Sequence, residues 1–432
     1  MKKINVLVLV LLFVVLGLNA QSVREEIKAD PCKSASNYMN YPGPLQQVLT
    51  SAPEGYKPFY LSHYGRHGSR YLCGKNEYIW PAEVLEKADA DGALTSLGCS
   101  VMERLEMMRT DSYKRIGELT LLGAQQHKGI AKRMMERFPE VFADSTVIDA
   151  KSTVVIRCIL SMENELQQML TMNPKLKISH DASEHDMFFM NLQDDDLYSK
   201  KMSLETKAMF KSFCDSHIHQ GALMLRLFKD TTYLSKNQID SYKLYTSLFN
   251  LASILQDSEL RHKFSLYDIF TTDELYSAWQ MENVWWYLNY GACPFNGGTQ
   301  PFSQRNLLRN IIQQADSCIA LPKPGATLRF GHETMVMPLV CLLGLNGFDK
   351  QIKDINNLEK EGWINYHVFP MGCNVQFVFY RRFINDKDVL VKVLLNENEA
   401  TLPVALKPIS GPYYRWSDVR QYYLQKLSSY KD

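Results

Sequence analysis

The chain has 432 residues, 46% hydrophobic and 22% charged, with a formal net charge of +1. That ordinary globular mix excludes a disordered, collagen-like or fibrous chain, and near-neutrality excludes a global field for nucleic acid or an anionic membrane. At about 150 residues per domain the length allows roughly three units and a large buried core.

The N-terminus reads Met1-Lys2-Lys3, then an apolar run over residues 6–18, then Asn19-Ala20-Gln21. A basic start, an apolar core too short to span a bilayer and a small residue at the cut describe a secretory signal peptide over residues 1–20. An uncleaved anchor is the alternative. No Cys follows the run closely, and no second stretch of about 18 apolar residues occurs. The mature protein is therefore expected free of the membrane, periplasmic or secreted. The nine cysteines are odd in number and form no C-x-x-C pair. This argues against a zinc ribbon or redox dithiol, and predicts mostly buried thiols with at most one or two disulfides.

Residues 21–56 read as an irregular lead-in broken by Pro42, Pro44, Pro53 and Gly55. Phe59 to Tyr64 form an apolar strand ending at Gly65. The stretch 81–110 is helical by the spacing of Leu94, Leu97, Val101, Leu105 and Met108. A second helix follows Leu119-Thr120-Leu121-Leu122-Gly123 and runs to about Phe138. Thr153-Val154-Val155-Ile156 reads as a short strand, and residues 161–172 as a helix. Residues 175–320 are rich in Met and aromatics at helical spacing, and Trp279, Trp285, Trp286 and Tyr287 are expected to pack helices rather than line a ligand box. Strand patterns return at 327–330, 375–380 and 389–394. The expected architecture is α/β: a central mixed sheet flanked by helices, built from residues 21–174 and 321–432, with 175–320 as a mainly α-helical inserted cap.

The chemistry concentrates in His63-Tyr64-Gly65-Arg66-His67-Gly68-Ser69-Arg70-Tyr71, just past a strand end, where α/β folds place ligands. Arginine forks suit phosphate oxygens. A neutral imidazole held at one nitrogen is a competent nucleophile at the other. Phe330-Gly331-His332-Glu333-Thr334 again follows a strand and opens a helix, with Pro338 expected in its first turn. That helix start offers N–H groups to an anion. His332 offers a further donor, and Glu333 a carboxyl able to protonate a leaving alkoxide. Arg157 is read at the end of its strand, on the same rim.

Arg66-His67-Gly68-Ser69-Arg70 resembles the R-H-G-x-R signature of the histidine acid phosphatases, branch 2 of the histidine phosphatase superfamily. Leu119-Thr120-x-x-Gly123-x-x-Gln126 is similar to the family's L-T-x-x-G-x-x-Q segment, Arg157 falls where its third phosphate-binding arginine lies, and His332-Glu333-Thr334 resembles the H-D-T or H-A-E element. The resemblance implies that His67 attacks phosphorus and forms a phosphohistidine. It assigns Arg66, Arg70, Arg157 and His332 to the phosphoryl oxygens and Glu333 to the leaving oxygen, with no metal or other cofactor. Two departures stand out. Leu72 replaces the proline of R-H-G-x-R-x-P, and Glu333 directly follows His332, as Asp does in H-D-T enzymes. The surrounding helix looks most like that of the multiple inositol polyphosphate phosphatases. The implied substrate is therefore a small phosphorylated polyol, with inositol phosphates such as phytate first and sugar phosphates or a broad acid phosphatase as alternatives. A non-catalytic phosphate-ester binding protein, in which Glu333 fails as an acid, is the alternative of another class.

A metal site on His63, His67 and Glu333 is the competing reading, opposed by the two arginines. His217 and His219 read as structural or solvated. His180 and His185, bracketing Asp181 and Glu184, read as a loop near the site, and no substrate role is assigned to His185 or Asp186. Lys75, Arg305 and Arg309 are candidate contacts for further phosphates, though ordinary surface charge explains each.

Overall fold

The computed structural model describes residues 22–190, 194–201 and 203–430; residues 1–20, expected to be a signal peptide, lie outside them. One mixed sheet runs through the molecule. Its strands are β1 (Lys57–Arg66), β2 (Val147–Ser152), β3 (Lys177–Asp181), β4 (Gly325–Gly331), β5 (Asn374–Arg381), β6 (Leu390–Leu395), β7 (Asn398–Glu399) and β8 (Tyr414–Arg415). The order is β3-β2-β4-β1-β5-β6-β7, with β8 also on β6. The first four strands are mutually parallel, and the rest are antiparallel to their neighbours.

Side chains alternate across the sheet. Tyr60, Tyr64, Phe377, Phe379, Val391 and Val393 face a core shared with the helices Arg305–Ile319, Glu333–Leu343 and Trp416–Ser429. Leu61, Val378, Tyr380, Leu390 and Leu394 face the opposite core, filled by Ile130 and Met134 of the helix Leu121–Arg137 and by Leu166 and Met169 of the helix Ile156–Met172. A third cluster joins the helices Lys75–Ala90, Ser96–Asp111, Ser241–Leu255 and Thr272–Tyr290 into the cap. The α/β core with an α-helical domain is as expected.

The structure moves several boundaries. Residues 75–111 pack with the cap although they precede it in the core segment. Within 175–320, Lys177–Asp181 is the edge strand β3, and Arg305–Ile319 buries its apolar stripe on the sheet. The stretch 81–110 is two helices, broken at Gly92, whose positive φ stops the first, and restarted by Thr95 as N-cap. The lead-in holds a helix, Val23–Ala29, and 3₁₀ turns over Pro31–Tyr38. The strand expected at 153–156 lies instead at Val147–Ser152, where Ile148, Ala150 and Ser152 alternate inward; the β-branched run that follows is the approach to the helix Ile156–Met172. Arg157 thus stands in a first helical turn, not at a strand end. Pro338 lies in the second turn, because His332 takes the cap position and Glu333 begins the helix. All nine cysteines are free thiols, five of them buried.

The parallel strands end together. Arg66 pairs in register with Gly331, and Ser152 with Phe330, so the segments after β1, β2 and β4 emerge on one rim. The helix Leu121–Arg137 presses its N-terminus onto the first of them. Thr120 caps that helix, and its backbone N–H donates to the Ser69 carbonyl at 2.9 Å. A Cβ on Gly123 would overlap the Ser69 carbonyl oxygen and come within 2.8 Å of its nitrogen; one on Gly68 would come within 2.7 Å of the Gly123 Cα. Alanine for glycine in a helix normally gains about 1 kcal/mol. Here Gly123→Ala is expected to reverse that sign by overpacking, costing about 1–3 kcal/mol. Thermal melting checks the sign, and an equal or higher melting temperature would show that the contact is not a constraint.

Candidate active site

The rim gathers Arg66, His67, Arg70, Arg157, His332 and Glu333. Arg66 ends β1 fully buried, its Nη1 donating to the carbonyls of Asn37 (2.6 Å) and Phe369 (2.9 Å). His67 is also fully buried, and its backbone N–H donates to Gly331 O at 2.9 Å. Its Nδ1 lies 2.8 Å from Gly68 O. A carbonyl only accepts, so Nδ1 carries the proton and Nε2 presents a lone pair. Burial, then the fields of Arg66, Arg70, Arg157 and His332, holds this imidazole well below the usual histidine range. The ring is neutral and its free nitrogen is Nε2.

The loop around it is fixed from several sides. Gly68 N–H donates to Ser161 Oγ at 3.1 Å. Ser69 N–H donates to Gln126 Oε1 at 2.9 Å, and Gln126 Nε2 returns a bond to Ser69 Oγ at 2.9 Å. Ser69 Oγ in turn donates to Asp257 Oδ1 at 2.5 Å. The L-T-x-x-G-x-x-Q segment therefore acts mechanically: Thr120, Gly123 and Gln126, spaced by three, present one helix face to the loop that carries His67 and Arg70. Arg70 donates to Tyr71 O at 2.8 Å and lies over the Tyr38 ring at 5.5 Å.

His332, in extended backbone before the helix, sets its ring 5.6 Å from that of His67, with Nε2 3.4 Å from Thr153 Oγ1. Burial, partly offset by Glu333, lowers its pKa to about 4. The Glu333 carboxylate lies 3.0 Å from Arg66 Nε and 3.7 Å from His67 Nε2, and accepts from Asn37 Nδ2 at 3.3 Å. Burial alone would raise its pKa, but Arg66, Arg70 and His332 outweigh that and bring it to about 2. Glu333 is ionised here, one negative charge against several positive ones.

What the set lacks is hydrogen-bond partners. Among the described residues, the buried atoms without one include Arg66 Nε and Nη2, Arg70 Nε, Arg157 Nε and His67 Nε2. Arg66 Nε is near Glu333 as a charge but is not aligned with it as a donor. Buried donors are rarely left unmatched, each costing about 1–3 kcal/mol, and a tetrahedral oxyanion would match several at once.

His67, His332 and Glu333 also bring ligand atoms within 4.8 Å of one another. That spacing would suit a metal, but Arg66 already balances the carboxylate, and the neighbouring guanidinium groups repel a cation. His63 does not join them: its ring is buried against Phe330. His180 pairs with Glu163 at 2.7 Å, Asp186 with Lys151 at 2.8 Å, and His217 stacks on Phe213. Arg305 pairs with Asp194 at 2.6 Å, Arg309 donates to Asn306, and Lys75 lines a different groove.

A cleft of about 470 Å³ opens over Arg70 and Glu333, walled by Tyr38, Phe210, Trp285, Trp286 and Tyr290. Trp285 and Trp286, expected only to pack helices, reach this wall, whereas Trp279 and Tyr287 are fully buried packing residues. Sequence reading also passed over Asn37, Tyr38 and Asp257. Nothing local marks them, although their segments fold onto the rim.

The pattern of the histidine phosphatase superfamily (branch 2) matches residues 65–396, most of the chain. The chain belongs to that family. It is a histidine acid phosphatase in fold and class. Its architecture is similar to that of a Bifidobacterium longum multiple inositol polyphosphate phosphatase crystallised with inositol hexasulfate, at 20% identity and TM-score 0.76 over 90% of this chain and 97% of that one. It is also similar to the phytase of D. castellii, at 15% identity and TM-score 0.68 over 92% and 85%. The Hafnia alvei phytase follows, at 13% and 0.53 over 87% and 98%. Comparison with curated proteins finds no match in sequence.

Since the arginine fields help keep His67 neutral, its ring is expected to stay unprotonated from pH 7 down to pH 5, read by NMR of ring-labelled histidine with His67→Ala as the assignment control. Arg157→Gln removes one positive field, so the His67 pKa should rise toward 6.5. A wild-type His67 resonance already titrating near 6.5 would show that the fields do not act on it.

Proposed function

We propose that this phosphatase hydrolyses phosphomonoesters of small polyols through a phosphohistidine on His67. The observation that carries the reading is the unpartnered Nε2 of His67 among unpartnered guanidinium N–H groups. In this reading Arg66, Arg70, Arg157 and His332 hold the phosphoryl oxygens in line with Nε2. As the P–O bond to the leaving group breaks, negative charge spreads over oxygens already faced by fixed donors. Water then attacks the phosphohistidine, releasing phosphate and freeing Nε2. The residues present supply this charge compensation without a metal.

Glu333 is assigned the leaving-group proton. Its carboxyl is ionised in the free protein, so the proton must arrive with the substrate. A phosphate monoester loses its second proton near pH 6; the monoanion carries that proton in. The incoming anion draws on Arg66 and Arg70, which lifts the Glu333 pKa and lets the carboxyl take the proton and pass it to the alkoxide. Inositol phosphates stand first among substrates by resemblance, and an inositol hexasulfate complex is known for a similar structure. One observation favours the alternative of sugar or other sparsely phosphorylated esters: Arg70 is the only lysine or arginine among the described residues lining the cleft. We also propose export, on the basis of the signal-peptide pattern of residues 1–20; a mature protein whose intact mass still includes them would refute cleavage.

Three outcomes are expected. His67→Ala abolishes release of phosphate from every ester, and rapid acid-free quenching of wild type recovers phosphate on the His67 ring; turnover in the variant would refute the nucleophile. Glu333→Gln slows alkyl esters such as glycerol phosphate by about 10²–10⁴ but p-nitrophenyl phosphate far less, since its leaving group hardly needs a proton. An equal loss on both would count against an acid role, while a wild type that binds alkyl esters without turnover would favour the binding-protein alternative. Finally, kcat/KM on alkyl esters falls as pH rises above about 6, following loss of the substrate proton; a rate still rising there would show that Glu333 gets its proton elsewhere.

A further inference from the structure

The cleft over the rim contains one group with no assigned work. Glu282, on the helix Thr272–Tyr290, lines the same space as Arg70, Glu333 and Thr334. It is half-buried, and its carboxylate makes no hydrogen bond or ion pair with any described residue. Burial alone pushes its carboxyl up to about 7. Around it stand Trp285, Trp286 and Tyr290, with Asn250, Thr246 and Tyr242 supplying amide and hydroxyl groups. Among the described lining residues the single guanidinium is Arg70, which the proposed function assigns to the reacting phosphoryl group. The Lys201 ammonium lies 4.0 Å from the Tyr290 ring centre, but Lys201 is not itself a lining residue of the cleft.

Resting on the phosphatase reading above, we propose that Glu282 is a specificity-determining residue that selects an uncharged, hydroxyl-rich leaving group bearing a single phosphate. A carboxylate accepts hydrogen bonds from vicinal hydroxyls, and aromatic faces pack against the C–H face of a sugar or cyclitol ring. Where it is ionised, above about pH 7, the same carboxylate also repels a second phosphate. Among the described residues lining the cleft, no second cation stands to offset that repulsion. The wall therefore suits a hexose or cyclitol monophosphate and opposes phytate, whose remaining five phosphates would meet Glu282 and aromatic carbon.

The test compares kcat/KM at pH 8, where Glu282 is ionised, for a hexose monophosphate, myo-inositol monophosphate and phytate, in wild type, Glu282→Gln and Glu282→Lys. Wild type should prefer both monophosphates over phytate at least tenfold. Glu282→Gln should raise KM for the monophosphates at least fivefold with kcat changed little, which a general loss of structure would not produce. Glu282→Lys should move the monophosphate-to-phytate ratio toward phytate at least 100-fold. A wild type that prefers phytate overturns the proposal without needing any variant, and an unmoved ratio in a folded Glu282→Lys protein overturns the role of Glu282. An ammonium-bearing phosphate such as phosphoethanolamine serves as a fourth substrate, and a preference for it over the hexose ester would refute the uncharged leaving group. Failure of the phosphatase reading itself looks different: wild type would release phosphate from none of these, nor from p-nitrophenyl phosphate.

Discussion

The structure depends on keeping positive charge buried around an imidazole that must stay neutral. Desolvating a guanidinium costs several kcal/mol even after relaxation, and Arg66 is fully buried with only part of its donor set used. Such an arrangement persists only when the surrounding fold over-determines it. Two carbonyls from distant segments, Asn37 and Phe369, fix one end of Arg66. The Gly68–Gly123 approach and the Ser69–Gln126 pair fix the loop beyond it. The guanidinium groups then favour any anion and disfavour a proton on His67, so under the proposed function one set of charges would both bind phosphate and keep the nucleophile neutral.

Glu333 is the compensating charge in this balance. With no oxyanion bound it lies against Arg66 and close to His67 Nε2, partly relieving the cost of the buried arginines. An entering phosphoryl group competes with it for the same donors. Displacing a carboxylate from its ion partner raises its proton affinity, so under the proposed function substrate binding and arming of the acid would be one electrostatic event. From the first helical residue, the Glu333 side chain comes within 3.0 Å of Arg66 Nε and 3.7 Å of His67 Nε2.

The parts of this site that sequence made legible are those in which the chemistry is local. Residues 63–71 carry nucleophile, two arginines and the required glycine within one turn of chain, and Thr120, Gly123 and Gln126 share one helix face by spacing alone. Alternation or apolar runs located β1, β4, β5 and β6 within a residue or two. Arg157 was found, but its setting was misread: β-branched Thr153-Val154-Val155 looks like a strand, while the actual β2 alternates apolar with Asp149 and Lys151 because it lies beside the short, exposed edge strand β3. Asn37, Asp257 and the cleft wall were not legible. Each acts through a tertiary contact tens to hundreds of residues away, and an isolated Asn, Asp or Trp carries no local sign of what it will touch.

Asp257 shows why cap and core cannot be treated as independent. It follows the cap helix Ser241–Leu255, yet accepts from Ser69 in the nucleophile loop. Burial raises its carboxyl to about 8 against the pull of Ser69, Arg66 and Arg70, so near neutral pH it holds the loop largely as an uncharged acid. A charged Asp there would add a second negative group beside the arginines and weaken their hold on phosphate; a neutral one secures the loop and leaves the positive field intact. The cap thus contributes twice to the same reaction. Its wall, with Glu282, faces the leaving group, while Asp257 reaches beneath to anchor the segment on which His67 and Arg70 stand. Tyr242, Thr246 and Asn250 reach the cleft from the same helix that Asp257 follows, so a shift of that helix to admit a larger leaving group would also disturb the Ser69 anchor.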